Sequence, residues 1–346
     1  MDRDRIVVVG GGLLGCATAL ELARRGRSVE VVERAIVGAE ASSAAAGILA
    51  PRMEAHGREP LRSLGLQSLG MYPGWVASLE ADVSLVRTGL LRVVRAGAAF
   101  AAPDPEAVWL DVEAARAIEP GLGPDVVGAW HLPEEACLDP RKLVAAVQLS
   151  AMAAGVRFRT ATVEGVDPDG VTLFDGTRIA GRPVVCAGAW TAKVPGLATL
   201  PVRPVRGQLV ALGGVPIRRV IFGDGGYLVP RPDGRVICGA TVEEVGYERG
   251  VTAGGVAHVL RTATAVIPGL AGAGFLEAWS GFRPGTPDDL PMIGEIDGIV
   301  VASGHYRNGI LLAPLTARQV ADALVDGAPW PAVFAPGRFG APPSGG

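Results

Sequence analysis

Arg5-Ile6-Val7-Val8-Val9-Gly10-Gly11-Gly12-Leu13-Leu14-Gly15, continued through Ser28-Val29-Glu30-Val31-Val32-Glu33, is the stretch whose reading decides the fold. A short β-branched run is followed by glycines spaced Gly10-x-Gly12-x-x-Gly15. Helix-forming residues from Ala17 to Arg25 then end at Gly26, and a second β-branched run follows. The order strand, glycine-rich turn, helix, strand predicts a βαβ unit. In the dinucleotide fingerprint the first glycine makes the tight turn, the second lets backbone approach a pyrophosphate and the third permits close helix packing. The phosphates then rest on the helix N-terminus. A glycine-rich chain produces such spacings by chance, and Glu33 adds the deciding weight. It ends the second strand about twenty residues on, where a carboxylate accepts hydrogen bonds from a ribose hydroxyl and disfavours a 2′-phosphate.

Composition bounds the rest. A chain of 346 residues suggests about two domains. Its 35 acidic and 32 basic residues leave a net charge of −3, so no basic field is available for nucleic acid. With 49 % apolar and only 19 % charged residues, the chain reads as compact rather than disordered. Its 49 glycines and 27 prolines indicate many tight turns. The apolar run Ile6 to Leu20 is too short and too glycine-rich for a membrane span and reads as a buried strand plus helix. Cys16, Cys137, Cys186 and Cys238 lie far apart, with neither a zinc spacing nor a disulfide framework, which fits reduced thiols in a cytoplasmic protein. No metal-ligating cluster stands out.

Outward from the βαβ unit, Glu40 to Leu49 is almost free of bulky side chains, so backbone amides and serine hydroxyls can approach a long cofactor beyond its pyrophosphate. A polar segment, Pro51 to Pro60, contains His56, read as a solvated loop or lid position, and a helix is expected from there to about Leu79. Strands are expected at 86–95 and 126–132 around a helix from Asp111 to Ile118. Asp139 is placed as the N-cap of a helix opening at Pro140 and running to about Ala154. Strands at 156–166 and 183–186 follow. Alternation dominates from Pro204 to Val242, with a hairpin around Pro232-Asp233-Gly234. A helix at 254–266, strands at 274–283 and 298–303, and a last helix from about Gly309 to Val325 complete the pattern. This helix is preceded by Gly304-His305-Tyr306-Arg307-Asn308-Gly309, and its positive N-terminal end could stabilise the anionic edge of a reduced flavin. The chain thus alternates between βαβ-like and antiparallel segments, an α/β and α+β fold in which two domains exchange the chain repeatedly.

These blocks, with Leu138-Asp139-Pro140-Arg141, Ala187-Gly188-Ala189-Trp190, Pro204-Val205-Arg206-Gly207-Gln208, Tyr227 to Arg231, Gly239-Ala240-Thr241 and Gly281-Phe282-Arg283-Pro284-Gly285-Thr286, carry a resemblance. The chain resembles the D-amino-acid oxidase superfamily of FAD-dependent amine oxidases, and within it the glycine oxidase branch of thiamine biosynthesis. The resemblance implies an FAD-binding Rossmann-like domain of the glutathione-reductase type, interleaved with an antiparallel-sheet substrate domain. The boundaries expected are 1–82, 140–203 and 286–334 for the FAD-binding part, 83–139 and 204–285 for the substrate part, and a flexible tail at 335–346.

It also implies residue roles. The FAD site would take in Gly10, Gly12, Leu14, Gly15, Glu33, Arg34, Ser42, Ser43, Ala46, Gly47, Val163, Gly188, Trp190, Gly304, Arg307, Asn308, Gly309 and Ile310. Arg283 would hold a substrate carboxylate, with Tyr227 beside it and Arg307 close to the amino acid; Val242, Ile48 and His305 would shape the pocket. A guanidinium fork suits the carboxylate, because two parallel charge-assisted bonds fix its orientation. In the family's reaction a neutral amine passes hydride from Cα to flavin N5, the imine hydrolyses to an oxo acid and ammonia or an amine, and oxygen reoxidises the flavin to give hydrogen peroxide. Glycine, sarcosine or small D-amino acids are the substrates implied, and a homotetramer is the assembly. FAD is expected to be noncovalent, since relatives that attach it use a cysteine late in the chain and none follows Cys238. Two alternatives stay open: a dehydrogenase of the same fold that passes electrons to a quinone or protein acceptor, and a non-catalytic flavoprotein.

Overall fold

The computed structural model describes residues 5–55 and 58–340. Its first sheet has six strands in the spatial order Met292–Ile296, Ile299–Ser303, Arg182–Val185, Arg5–Val9, Ser28–Glu33 and Arg157–Thr160. Five of them are parallel, and Met292–Ile296 is hairpin-paired antiparallel at one edge. Alternation along Arg5–Val9 sends Ile6 and Val8 into one apolar cluster and Val7 and Val9 into another. Both faces of this sheet are therefore covered, as expected of parallel strands. One face packs on the helices Leu13–Arg24, Pro140–Ala153 and Gly309–Asp326. The other packs on a three-stranded antiparallel sheet, Val163–Asp167, Gly170–Leu173 and Arg178–Ala180.

The second sheet has eight strands in the order Gly274–Gly285, Arg203–Gly213, Arg235–Gly239, Gly226–Pro230, Val220–Gly223, Leu90–Arg95, Val126–Leu132 and Val108–Asp111. It is antiparallel except where Val220–Gly223 runs alongside Leu90–Arg95. Alternation again separates two faces. Val210, Leu228 and Cys238 pack toward the helix Ala253–Val266, whereas Leu209, Tyr227 and Val229 turn the other way. The chain enters the first sheet three times, at 5–33, 157–185 and 292–303, with the eight-stranded sheet built from the intervening segments.

Asp139 caps its helix as expected, with Oδ1 accepting from the amides of Arg141 (2.9 Å) and Lys142 (3.3 Å). The single strand expected at 156–166 is two, Arg157–Thr160 and Val163–Asp167, which belong to different sheets. The strands Gly170–Leu173, Arg178–Ala180 and Met292–Ile296 were not foreseen, being too short to show periodicity. The tail expected to be flexible from 335 is instead packed through 340. Pro336–Phe339 forms a 3-10 turn, Pro336 is buried, and Arg338 bonds both oxygens of Asp288. Residues 341–346 lie outside the described residues. Among the described residues no helix is long and apolar enough to cross a membrane, and all four cysteines are buried free thiols.

The helix Gly309–Asp326 contains Pro314, which has no N–H to offer the carbonyl of Ile310 four residues earlier. The buried Tyr72 hydroxyl donates to that carbonyl instead, and Ser68 Oγ donates to the next one, Leu311 O, at 2.6 Å. Two side chains of the helix Glu59–Ala77 thus repair the first turns of the helix that reaches the cavity described below. Tyr72→Phe strands a buried carbonyl and is expected to lower the unfolding free energy by about 1–3 kcal/mol. Denaturant titration checks this, and an unchanged midpoint would remove the repair from the account.

Candidate active site

Between the two sheets lies a cavity of about 390 Å³, within the range of small-molecule sites. Gly10, Gly12 and Leu14 form one end of its wall. Gly10 adopts φ +103°, and a Cβ there would stand 2.5 Å from the carbonyl oxygen of Cys186, so only glycine fits the turn. Gly15 does not line the cavity; it lets the helix sit on the turn, a Cβ there falling 1.9 Å from the Gly10 carbonyl oxygen. The helix Leu13–Arg24 has no side-chain cap from its own N-cap, Gly12, and no acidic residue in its first turn. Ser42 Oγ accepts from the Leu13 amide at 2.9 Å, across 29 residues. Glu33 lines the cavity with its carboxylate fixed by the amides of Gly11 (2.8 Å) and Ala35 (3.1 Å). Arg34 lies 4.2 Å over the ring of Trp190 and pairs with Glu40 at 2.9 Å.

The small-residue stretch supplies the central wall. Ser42, Ala46, Gly47 and Ile48 line the cavity, but Ser43 turns its hydroxyl away to the Gly38 carbonyl at 2.6 Å. The Ala46 carbonyl accepts from Arg231 Nη2 at 2.7 Å; this arginine is buried, which lowers its pKa. Val163, Gly188 and Trp190 complete one side, and Asn308, Gly309 and Ile310 bring the N-terminal end of Gly309–Asp326 to the other. Gly304 stays outside, its backbone packed on Thr286.

Arg283 and Tyr227 enter from the eight-stranded sheet. Arg283 stands opposite Val205, and its guanidinium lies across the neighbouring strand at Gly207, where a Cβ would come within 2.4 Å of Nη1. Nη1 donates to the Thr241 carbonyl at 3.2 Å, and among the described residues no carboxylate pairs with this arginine. Tyr227 stands opposite Gly239, whose missing side chain leaves room for the phenol ring. Burial raises the Tyr227 pKa, an effect partly offset by Arg283 and Arg307. His305 is buried, with Nε2 3.0 Å from Thr316 Oγ1, and burial drives its pKa down to about 3, so the imidazole is neutral.

Val242, like Gly15, Ser43 and Gly304, falls outside the cavity it was expected to line, and two residues went unseen. Val242 does not line the cavity and is 55 % exposed. The flanking residues explain why: Thr241 Oγ1 accepts from the Gln208 amide and Glu243 bridges Arg206, so alternation sends Val242 outward and the Thr241 carbonyl meets Arg283. Arg307 lines the cavity but is not free, since Glu54 holds it through Nε–Oε2 at 2.7 Å and Nη2–Oε1 at 3.3 Å. Glu54 and Arg231 were missed as site-forming residues; their partners lie 253 and 185 residues away, and no local pattern signals such pairings. His56 lies outside the described residues.

The family model for FAD dependent oxidoreductases matches residues 5–323. The chain belongs to this family. The oxidoreductase is 34 % identical over 348 residues to the glycine oxidase of Geobacillus kaustophilus, covering 92 % of each chain. A crystal structure of glycine oxidase from that organism matches it with a TM-score of 0.88 at 32 % identity, covering 99 % of this chain and 100 % of that one. A bifunctional ThiO/ThiG protein of Synechocystis is 38 % identical, covering 96 % of this chain and 54 % of that protein, so the chain spans about half the length of that relative. Iminodiacetate oxidase from Chelativorans sp. superposes with a TM-score of 0.85 at 27 % identity, covering 96 % and 99 % of the two chains.

FAD is the cofactor of the family, and the cavity fits it. A glycine turn and helix end meet a carboxylate at the end of the next strand, and a wall of small side chains continues to a second helix end. The purified oxidoreductase is expected to be yellow and to release one FAD per chain on acid or heat precipitation. Flavin absorbance of supernatant and pellet checks this; flavin retained in the pellet would indicate a covalent link.

Proposed function

We propose that this oxidoreductase is an FAD-dependent oxidase that oxidatively deaminates glycine, sarcosine or small D-amino acids to the oxo acid, ammonia or an amine, and hydrogen peroxide. The observation that carries the reading is Arg283, a cavity-lining guanidinium met by a backbone carbonyl and, among the described residues, by no carboxylate. The glycine oxidase relatives support the same reaction, and the ThiO/ThiG relatives support a place in thiamine biosynthesis. The division of the chain near residues 82, 139, 203 and 285 belongs to the same proposal.

FAD, when bound, supplies a hydride acceptor that oxygen can reoxidise. The chain's own residues orient and insulate. The Arg283 fork grips the substrate carboxylate through two charge-assisted bonds, which fixes the adjoining Cα within the cavity. The Tyr227 hydroxyl, kept protonated by its raised pKa, stands beside that guanidinium as a hydrogen-bond donor. His305 stays neutral and bonded to Thr316, so it shapes the wall and carries no proton in the reaction.

Arg283→Ala removes both charge and fork, and Arg283→Lys keeps charge alone. Truncating such a charge pair costs on the order of 2–5 kcal/mol, so kcat/KM for glycine is expected to fall at least about thirtyfold in the alanine variant and less in the lysine variant. Flavin content is expected to stay normal. Peroxide release after anaerobic reduction tests the acceptor, fast reoxidation by a quinone and not by air being the contrary result.

His305, near 3, and Tyr227, above its ordinary value of 10.0, bracket the working range, so neither changes charge between them. The proposal therefore expects kcat/KM for glycine to rise with pH as the substrate ammonium loses its proton. A limb centred near the ordinary histidine value of about 6.5 would contradict a silent His305.

A further inference from the structure

Two of the arginines that line the cavity are in different states. Arg283 has no carboxylate partner among the described residues, whereas Arg307 is gripped two-point by Glu54. Glu54 itself is buried at 9 % exposure and lines the cavity, at the end of the short helix Pro51–Glu54. All three line the same cavity as Tyr227. Arg283, Arg307 and Glu54 sum to a single positive charge, and one substrate carboxylate neutralises it. A second substrate carboxylate would find the Arg307 fork taken and would face Glu54 as a like charge in a confined cavity, where such a juxtaposition is strongly unfavourable.

We propose that Glu54 is a specificity-determining residue that restricts the site to amines bearing one carboxylate, by occupying Arg307 and repelling a second acidic group. The proposal rests on the reading of Arg283 as the carboxylate anchor. Glu54→Gln keeps the side-chain shape and a carbonyl for Arg307 but removes the charge, leaving Arg307 able to take a second carboxylate. Glu54→Asp keeps the charge and so keeps the exclusion. The geometry also demands that the gain be lost when Arg307 is removed.

The experiment titrates FAD-loaded enzyme with acetate and with malonate, following the flavin absorbance change, and compares turnover of sarcosine with that of iminodiacetate. In Glu54→Gln, malonate is expected to bind at least about tenfold tighter relative to acetate than in the unmodified enzyme, and the iminodiacetate to sarcosine ratio of kcat/KM to rise in parallel. Glu54→Asp is expected to leave both ratios near their starting values, and Glu54→Gln with Arg307→Gln to return them there. An unchanged malonate to acetate ratio in Glu54→Gln overturns the proposal, as does an equal gain in the double variant. Acetate binding that survives Arg283→Ala overturns the underlying anchor instead. Flavin content and thermal midpoint of each variant, measured alongside, separate these outcomes from misfolding, and a Glu54→Gln that loses FAD assigns Glu54 a structural role and overturns the proposal.

Discussion

A segment threaded between two sheets joins the ladder of neither, yet its buried backbone groups still need partners. Residues 41–47 meet this constraint with bonds drawn from both sides. Ser42 is fixed to the helix of the βαβ unit through the Leu13 amide. The Ala44 carbonyl accepts from Trp279 Nε1 at 3.0 Å, the Ala46 carbonyl from Arg231, and the Gly47 carbonyl from the Leu138 amide at 2.9 Å. Ala44 sits against Gly281, where any side chain on the strand would collide with it. Small side chains are what allow two sheets to close on one strand of chain, and the cavity is the space left beside it.

Within that cavity, charge is distributed by what each group can reach. The buried Arg231 is met by backbone carbonyls and lies 3.9 Å from Asp139. Arg307 is bound to Glu54, and Glu33 to two backbone amides. Among the described residues, Arg283 alone of the cavity-lining arginines faces the cavity without an acid, because Gly207 gives it a bare strand to lie on and a carbonyl stands at its end. An unmatched guanidinium in a confined site is unfavourable by itself and becomes favourable when a carboxylate arrives. Under the proposed function, that asymmetry, more than the identity of the residues, is what would favour an acid.

The βαβ start of the first sheet was legible because a dinucleotide turn is a local structure. Its glycines, its helix and the acid that closes the next strand lie within 29 residues, and Gly15 and Glu33 answer to contacts inside that span. The Asp139 cap and the hairpin around Gly234 were legible for the same reason. Val242 was misplaced because a motif specifies sequence neighbours, whereas the face on which a residue lands depends on the register of Thr241 and Glu243 against another strand.

By itself the sequence determined the βαβ start, the glycine positions and the alternation that makes the second sheet two-faced, all of which follow from local sterics and periodicity, whereas the candidate carboxylate anchor came only from the family resemblance. The tertiary structure alone decided that Glu54 takes Arg307, that Arg231 holds the Ala46 carbonyl, that Tyr72 serves the carbonyl Pro314 leaves unbonded, and that residues 335–340 pack rather than trail. These partners are separated by 50 to 253 residues, and which of many arginines, carboxylates and carbonyls meet is fixed only when the sheets and helices have closed around them.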